Sequence, residues 1–211
     1  MKFDIARQPL VPAFMTLFAL AVAAMCAGIP VPDTETSGAV REALPLLGGQ
    51  LARFQAAYPV WSKFAAGFML LFAGMCTGRI SIRYNLYTVG TCLPIPLYAI
   101  VACGIATGGN YLAGFAASML LALATKNYCR AFCNGYGFDA IFRASLYLGL
   151  MPLIYAPALP LLLLLPLAVL LFRRTFREVV VATAGLLLPI FTACYVSWGS
   201  GAEFTAPPVS Y

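Results

Sequence analysis

The chain has 211 residues, of which 62% are hydrophobic and only 9% charged, and its mean hydropathy is +0.89. Water-soluble domains carry about 25% charged residues, so an ordinary soluble globule is excluded: too little polar surface exists to cover one. The net charge is +6, but the 13 basic residues fall singly or in pairs between apolar runs, which excludes a nucleic-acid interface and fits loops held on one side of a bilayer.

The composition predicts an all-α, polytopic transmembrane bundle forming a single integral membrane domain. A spanning helix needs roughly 17–25 mostly apolar residues, because no water is present to satisfy its backbone groups. That criterion predicts about seven segments, the first near 10–29, preceded by Lys2 and Arg7 and stopped by Pro30 and Pro32. A charged start followed by "AMCAG" also resembles a secretory or lipoprotein signal ending at Cys26. Met25 is too large for the position before such a cysteine, so an uncleaved anchor is the reading. Residues 30–57 form an outer loop, partly amphipathic. Further segments lie near 60–78, 88–107 (with Pro94 and Pro96) and 111–125. After the polar stretch "ATKNYCRAFCNGYGFDAIFRAS" come 139–155, 158–172 and 179–198. The fifth and sixth can instead form a helical hairpin that does not cross, leaving five spans.

The basic residues orient this layout. With the N-terminus inside, Lys2, Arg7, Arg79, Arg83, Lys126, Arg130, Arg143, Arg173, Arg174 and Arg177 lie on the inner side. Only Arg41, Arg53 and Lys63 lie outside, so 10 of the 13 are inner. Such a bias in short loops places a bacterial inner-membrane protein with its N-terminus in the cytoplasm. Trp61, Tyr58, Tyr84, Tyr87, Tyr111, Tyr128 and Trp198 fall near segment ends, where amphipathic rings settle at the head-group level. Gly67, Gly74 and Gly78 offer small surfaces for close helix packing.

Two polar clusters are candidate sites. Lys126, Arg130, Asp139 and Arg143 sit between two apolar runs, with Asp139 and Arg143 in the favourable acid-first i, i+4 order. They read either as a capped helix start at the membrane surface or as a cationic pocket for a lipid phosphate. Arg173, Arg174, Arg177 and Glu178 form a second turn, read as positive-inside anchoring or as a contact for lipid head groups or a membrane-protein partner. Cys129 and Cys133 share a helix face, yet a structural zinc site takes four N or S ligands. The chain has no His, so no metal, cofactor or catalytic residue is assigned.

The runs "RYNLYTVGTCLPIPLYAIV" (83–101), "FDAIFRASLYLGLMPLIYAPALPLLLLLPLAVLLFR" (138–173) and "FREVVVATAGLLLPIF" (176–191) resemble an uncharacterised multi-pass inner-membrane family of Bacteroidota. The resemblance covers residues 79–195 and consists of an asparagine loop before a proline-containing helix, a helix hairpin, an arginine-glutamate turn and a glycine-to-proline helix. Members tend to be longer and have no established catalytic residues, so the resemblance implies topology and leaves activity open.

The function expected from these features is non-enzymatic: a membrane scaffold or subunit of an envelope assembly, contacting lipid or a protein partner through its basic inner loops. The alternatives are a carrier for a small or lipid-like solute, for which changes near Pro94, Pro96 and Asn110 alter uptake, and a membrane enzyme acting on a lipid-linked substrate.

Overall fold

A computed structural model describes residues 10–26, 46–84, 92–105, 110–133, 137–163, 175–199 and 201. Among them are seven α-helices, one 3-10 helix and no strand. We label the α-helices in chain order: α1 Leu10–Cys26, α2 Leu46–Ala57, α3 Pro59–Arg83, α4 Pro94–Ile105, α5 Tyr111–Cys133, α6 Phe138–Ile154 and α7 Phe176–Gly199. The protein is all-α. Two of the described helices, α3 and α7, are long and apolar enough to cross a membrane.

Local chemistry explains most boundaries. Pro59 opens α3, where a missing N–H costs nothing. The Tyr58 N–H still donates to the Phe54 carbonyl at 2.9 Å, so α2 and α3 meet at a proline kink. Pro94 and Pro96, expected to interrupt a span, instead start α4, since proline is tolerated in a first turn. The start of the expected segment 158–172 lies in a 3-10 helix, Ala156–Leu163, with Pro160 inside it; residues 164–174 lie outside the described ones.

Side-chain contacts give the helix directions. Gly67 receives Met25 and Gly74 receives Leu17, so α1 and α3 are antiparallel. Gly74 also meets Tyr98, and Gly78 meets Ile95, which sets α4 antiparallel to α3. The expectation that these three glycines admit close neighbours is met. Helices α3 and α5 run parallel: Ser62 bonds Tyr111 near the start of both, and Ala73 and Cys76 cluster with Ala122 further along. Tyr128 pairs with Ser145, while Leu121 faces the Met151 end of α6, so α5 and α6 are antiparallel. The chain therefore runs up and down through α1, α3, α4, α5 and α6.

Helix α5 is the hub. Its Phe115 is 2% exposed and packs in a cluster fed by α1, α3 and α4, while Ala117, Leu120 and Ala124 join a second cluster with α6 and Ala182 of α7. Three tyrosine–serine hydroxyl pairs tie it to its neighbours: Ser62 with Tyr111, Tyr98 with Ser118 at 2.9 Å, and Tyr128 with Ser145 at 3.4 Å. The Leu112 N–H also donates to Gln55 Oε1 of α2 at 3.3 Å. Tyr111, expected at the head-group level, is buried at 4% exposure: its hydroxyl finds a buried partner and its ring fills the core. A double-mutant cycle on Ser62→Ala and Tyr111→Phe, read by thermal unfolding in detergent, should give a coupling of about 0.6 kcal/mol, the average for interhelical hydrogen bonds within membranes.

Large apolar side chains are exposed along several helices, while small ones take up much of the buried faces. On α7 the buried stripe is Glu178, Ala182, Gly185, Pro189, Cys194 and Ser197, whereas Phe191, Tyr195, Val196 and Trp198 are exposed. On α3 the buried face combines small residues such as Ser62, Ala66, Gly67 and Ala73 with Leu70 and Ile80, and Trp61, Phe64, Phe68 and Phe72 point out. The buried faces of α1 and α4 likewise mix small and large residues: Ala13, Leu17 and Ala21, and Ile95, Ala99 and Ala102.

Candidate functional site

The polar stretch between α5 and α6 is mostly helix. α5 continues through Lys126, Asn127 and Arg130 to Cys133, so the first part of the expected elbow is helix; residues 134–136 lie outside the described ones. Lys, Arg and Ala are good helix formers, so the helix does not stop where the apolar run does. Lys126 is half-buried and Arg130 exposed.

Of this cluster the structure brings together Asp139 and Arg143, whose Nε donates to Oδ1 at 2.9 Å one turn away. Both side chains are open to solvent, at 68% and 59% exposure, so the pair behaves as an ordinary exposed ion pair. Asp139 also lies in the first turn of α6, where a negative charge favours the helix dipole. Replacing Asp139 with asparagine should therefore shift stability by less than about 0.5 kcal/mol, checked by the midpoint of thermal unfolding.

At the second cluster, Arg177 is exposed and Glu178 is not. Glu178 is 2% exposed and its Oε2 accepts the Thr175 N–H at 3.3 Å. Thr175 immediately precedes α7 and Glu178 is its third residue, which is the glutamate half of a capping box. The "TFRE" spacing carried that signal in the sequence, but the flanking arginines read first as a charge cluster. Arg173 and Arg174 lie outside the described residues.

A third feature lies apart from both charge clusters. A cavity of about 650 Å³ opens between the end of α4, the first half of α5, the end of α6 and the 3-10 helix. Its walls include Val101, Ile105, Leu121, Met151 and Leu161, and small residues of α5, Gly114 and Ala117, leave the room. Three polar side chains reach it: Asn110, Ser118 and Tyr155. The Ser118 hydroxyl is already committed to Tyr98 and to the Phe115 carbonyl. Asn110, singled out in the sequence for a carrier, does line this cavity; Pro94 and Pro96 stand at the opposite end of α4. Such a volume is typical of small-molecule sites, which span about 300–1,000 Å³.

A second, shallower groove of about 540 Å³ is lined by Phe54, Tyr58, Trp61, Phe64, Ala65 and Phe68, along the α2–α3 kink. Phe54 and Tyr58 pair at 5.6 Å between ring centroids, and Trp61 and Phe64 at 6.4 Å. Tyr58 and Trp61 remain exposed.

Comparison of the chain with protein-family models, with curated proteins and with solved structures returned no match.

Proposed function

We propose that the chain is a multi-pass inner-membrane protein with a cytoplasmic N-terminus, serving as a non-enzymatic scaffold or subunit of an envelope assembly. The observation that carries the membrane part is the outer surface: Phe64, Phe68 and Phe72 of α3, Val101 of α4 and Phe191, Tyr195 and Trp198 of α7 are exposed. Water penalises such exposed apolar rows, whereas lipid removes that penalty and leaves close packing, as at Gly149 and Gly185, to hold helices together.

The orientation is supported by where the charges fall. Because α3 and α5 run parallel, Arg79 and Arg83 at the end of one and Lys126 and Arg130 at the end of the other share a side, and Arg143 near the start of α6 joins them. Arg53 and Lys63 stand at the other end of the stack. That is the asymmetry of the positive-inside rule. The scaffold part is supported by the aromatic groove at the α2–α3 kink, since Trp, Tyr and Phe are the residues enriched where proteins contact one another. Membership in the Bacteroidota family rests on the quoted motifs alone.

The test is purification in mild detergent followed by mass spectrometry of what stays bound. A stoichiometric protein partner, released by the triple change Arg173→Ala, Arg174→Ala and Arg177→Ala, is the expected result. A chain that purifies alone, with or without those arginines, contradicts the scaffold reading.

A further inference from the structure

The cavity walled by α4, α5, α6 and the 3-10 helix has a chemistry of its own. Among the described residues no charged side chain lines it. The Asn110 amide and the Tyr155 hydroxyl, which both border it, have no hydrogen-bond partner among the described residues. The remaining walls are aliphatic, apart from the already bonded Ser118. Asn110 is half-buried and Tyr155 38% exposed, so both groups are reachable from outside, and a ligand with its own hydroxyl or carbonyl can pair with them. A charged head group would find no counter-charge among these described walls, and giving up hydration against them is costly.

Position narrows the occupant further. The cavity sits at the end of the bundle away from Lys126 and Arg130, because it borders the start of α5 and the end of α6. Anionic head groups are drawn to basic residues, and these are at the other end. We infer that this cavity binds a neutral, single-chain amphiphile of the bilayer, with its hydroxyl or carbonyl groups at Asn110 and Tyr155 and its chain along Ile105, Leu121 and Met151. The inference rests on the membrane reading above, which supplies the source of such a ligand.

Gly104 provides a clean probe. It lines the cavity, and an added Cβ there meets nothing within 4 Å, so Gly104→Leu starts in open space and is placed to occupy the cavity. The experiment is photolabelling of the full chain with a diazirine-bearing monoacylglycerol, followed by peptide mapping. It is run both in vesicles and in detergent solution, so the cavity is read whether or not the chain inserts; flotation with the vesicles tests insertion separately. Saturable labelling of residues 101–121 and 151–161 is expected, competed by monoolein and not by the oleate anion. Gly104→Leu should abolish it, and Tyr155→Phe should weaken it roughly fivefold, the effect of one net hydrogen bond. Labelling that does not saturate, that falls equally on Phe64 and Phe68, or that persists in Gly104→Leu overturns the proposal. Equal competition by oleate overturns the neutral class.

Discussion

Adding one methyl group at Gly149 is expected to unseat α7 from α6. Its Cβ would run into the backbone carbonyl oxygen of Leu186, and across the same crossing a Cβ on Gly185 would lie 2.7 Å from the Phe142 carbonyl oxygen. These contacts are with backbone, so no side-chain rotation relieves them; the helices themselves must separate. Overpacking of this kind costs about 1–3 kcal/mol, and separation also loosens the small-residue interface that holds helices together in lipid. Gly149→Ala should therefore lower the thermal midpoint in detergent, and Gly149→Leu should prevent recovery of a monodisperse protein. Gly104→Ala is the matched control: it too adds a methyl within a helix, meets nothing, and should gain about 0.5–1 kcal/mol from the backbone entropy that glycine forfeits. Equal losses at both positions would mean that the α6–α7 crossing is not where the structure places it.

The second large effect belongs to Phe115. It is among the largest side chains in the chain with almost no exposure, at 2%, and sits where α5 meets α1, α3 and α4. The space beside it is only about 10 Å³, no more than one water requires, so the packing there is already tight. Phe115→Ala leaves a hole that four helices must collapse to fill, and truncations of this type cost about 3–5 kcal/mol. That is a large share of the roughly 5–15 kcal/mol that stabilises a typical fold. Loss of the folded peak on size-exclusion chromatography is the expected outcome. Phe115→Leu, which keeps most of the volume, should restore it. A Phe115→Ala protein that elutes and melts like the parent would remove α5 from the centre of the bundle.

What the sequence disclosed and what it hid follow from which physics each feature uses. Apolar runs located α1, α3, α6 and α7 to within a few residues, because burial and lipid exposure both demand apolar length. The same criterion cut α5 short at 125, since Lys126, Asn127 and Arg130 end the hydrophobic run but not the helix. It read 158–172 as one segment, whose first part Pro157 and Pro160 direct into a 3-10 helix over Ala156–Leu163. Charge clustering drew attention to Glu178, whose burial and bond to Thr175 make it a helix cap. The hydroxyl pairs on α5 had no sequence signal, because a tyrosine near a helix end looks the same whether its ring faces lipid head groups or a serine on the next helix. Gly149 and Gly185 were legible only as small residues; their shared crossing is a tertiary fact. The cavity likewise joins residues from three separate α-helices and the 3-10 helix, and only Asn110 was marked beforehand.

We propose that this stack of helices crosses a bilayer with its basic end inside. The chain itself carries the reporters: of its three lysines, Lys63 lies near the start of α3 and Lys126 near the end of α5, which the parallel course of these helices places at opposite ends. The decisive measurement is modification by an amine reagent that cannot cross membranes, applied to sealed right-side-out and inverted vesicles and mapped by mass spectrometry. Lys63 modified in the right-side-out vesicles and Lys126 in the inverted ones is the predicted result. Modification of both lysines from the same side, or recovery of the chain outside the membrane fraction, would contradict it.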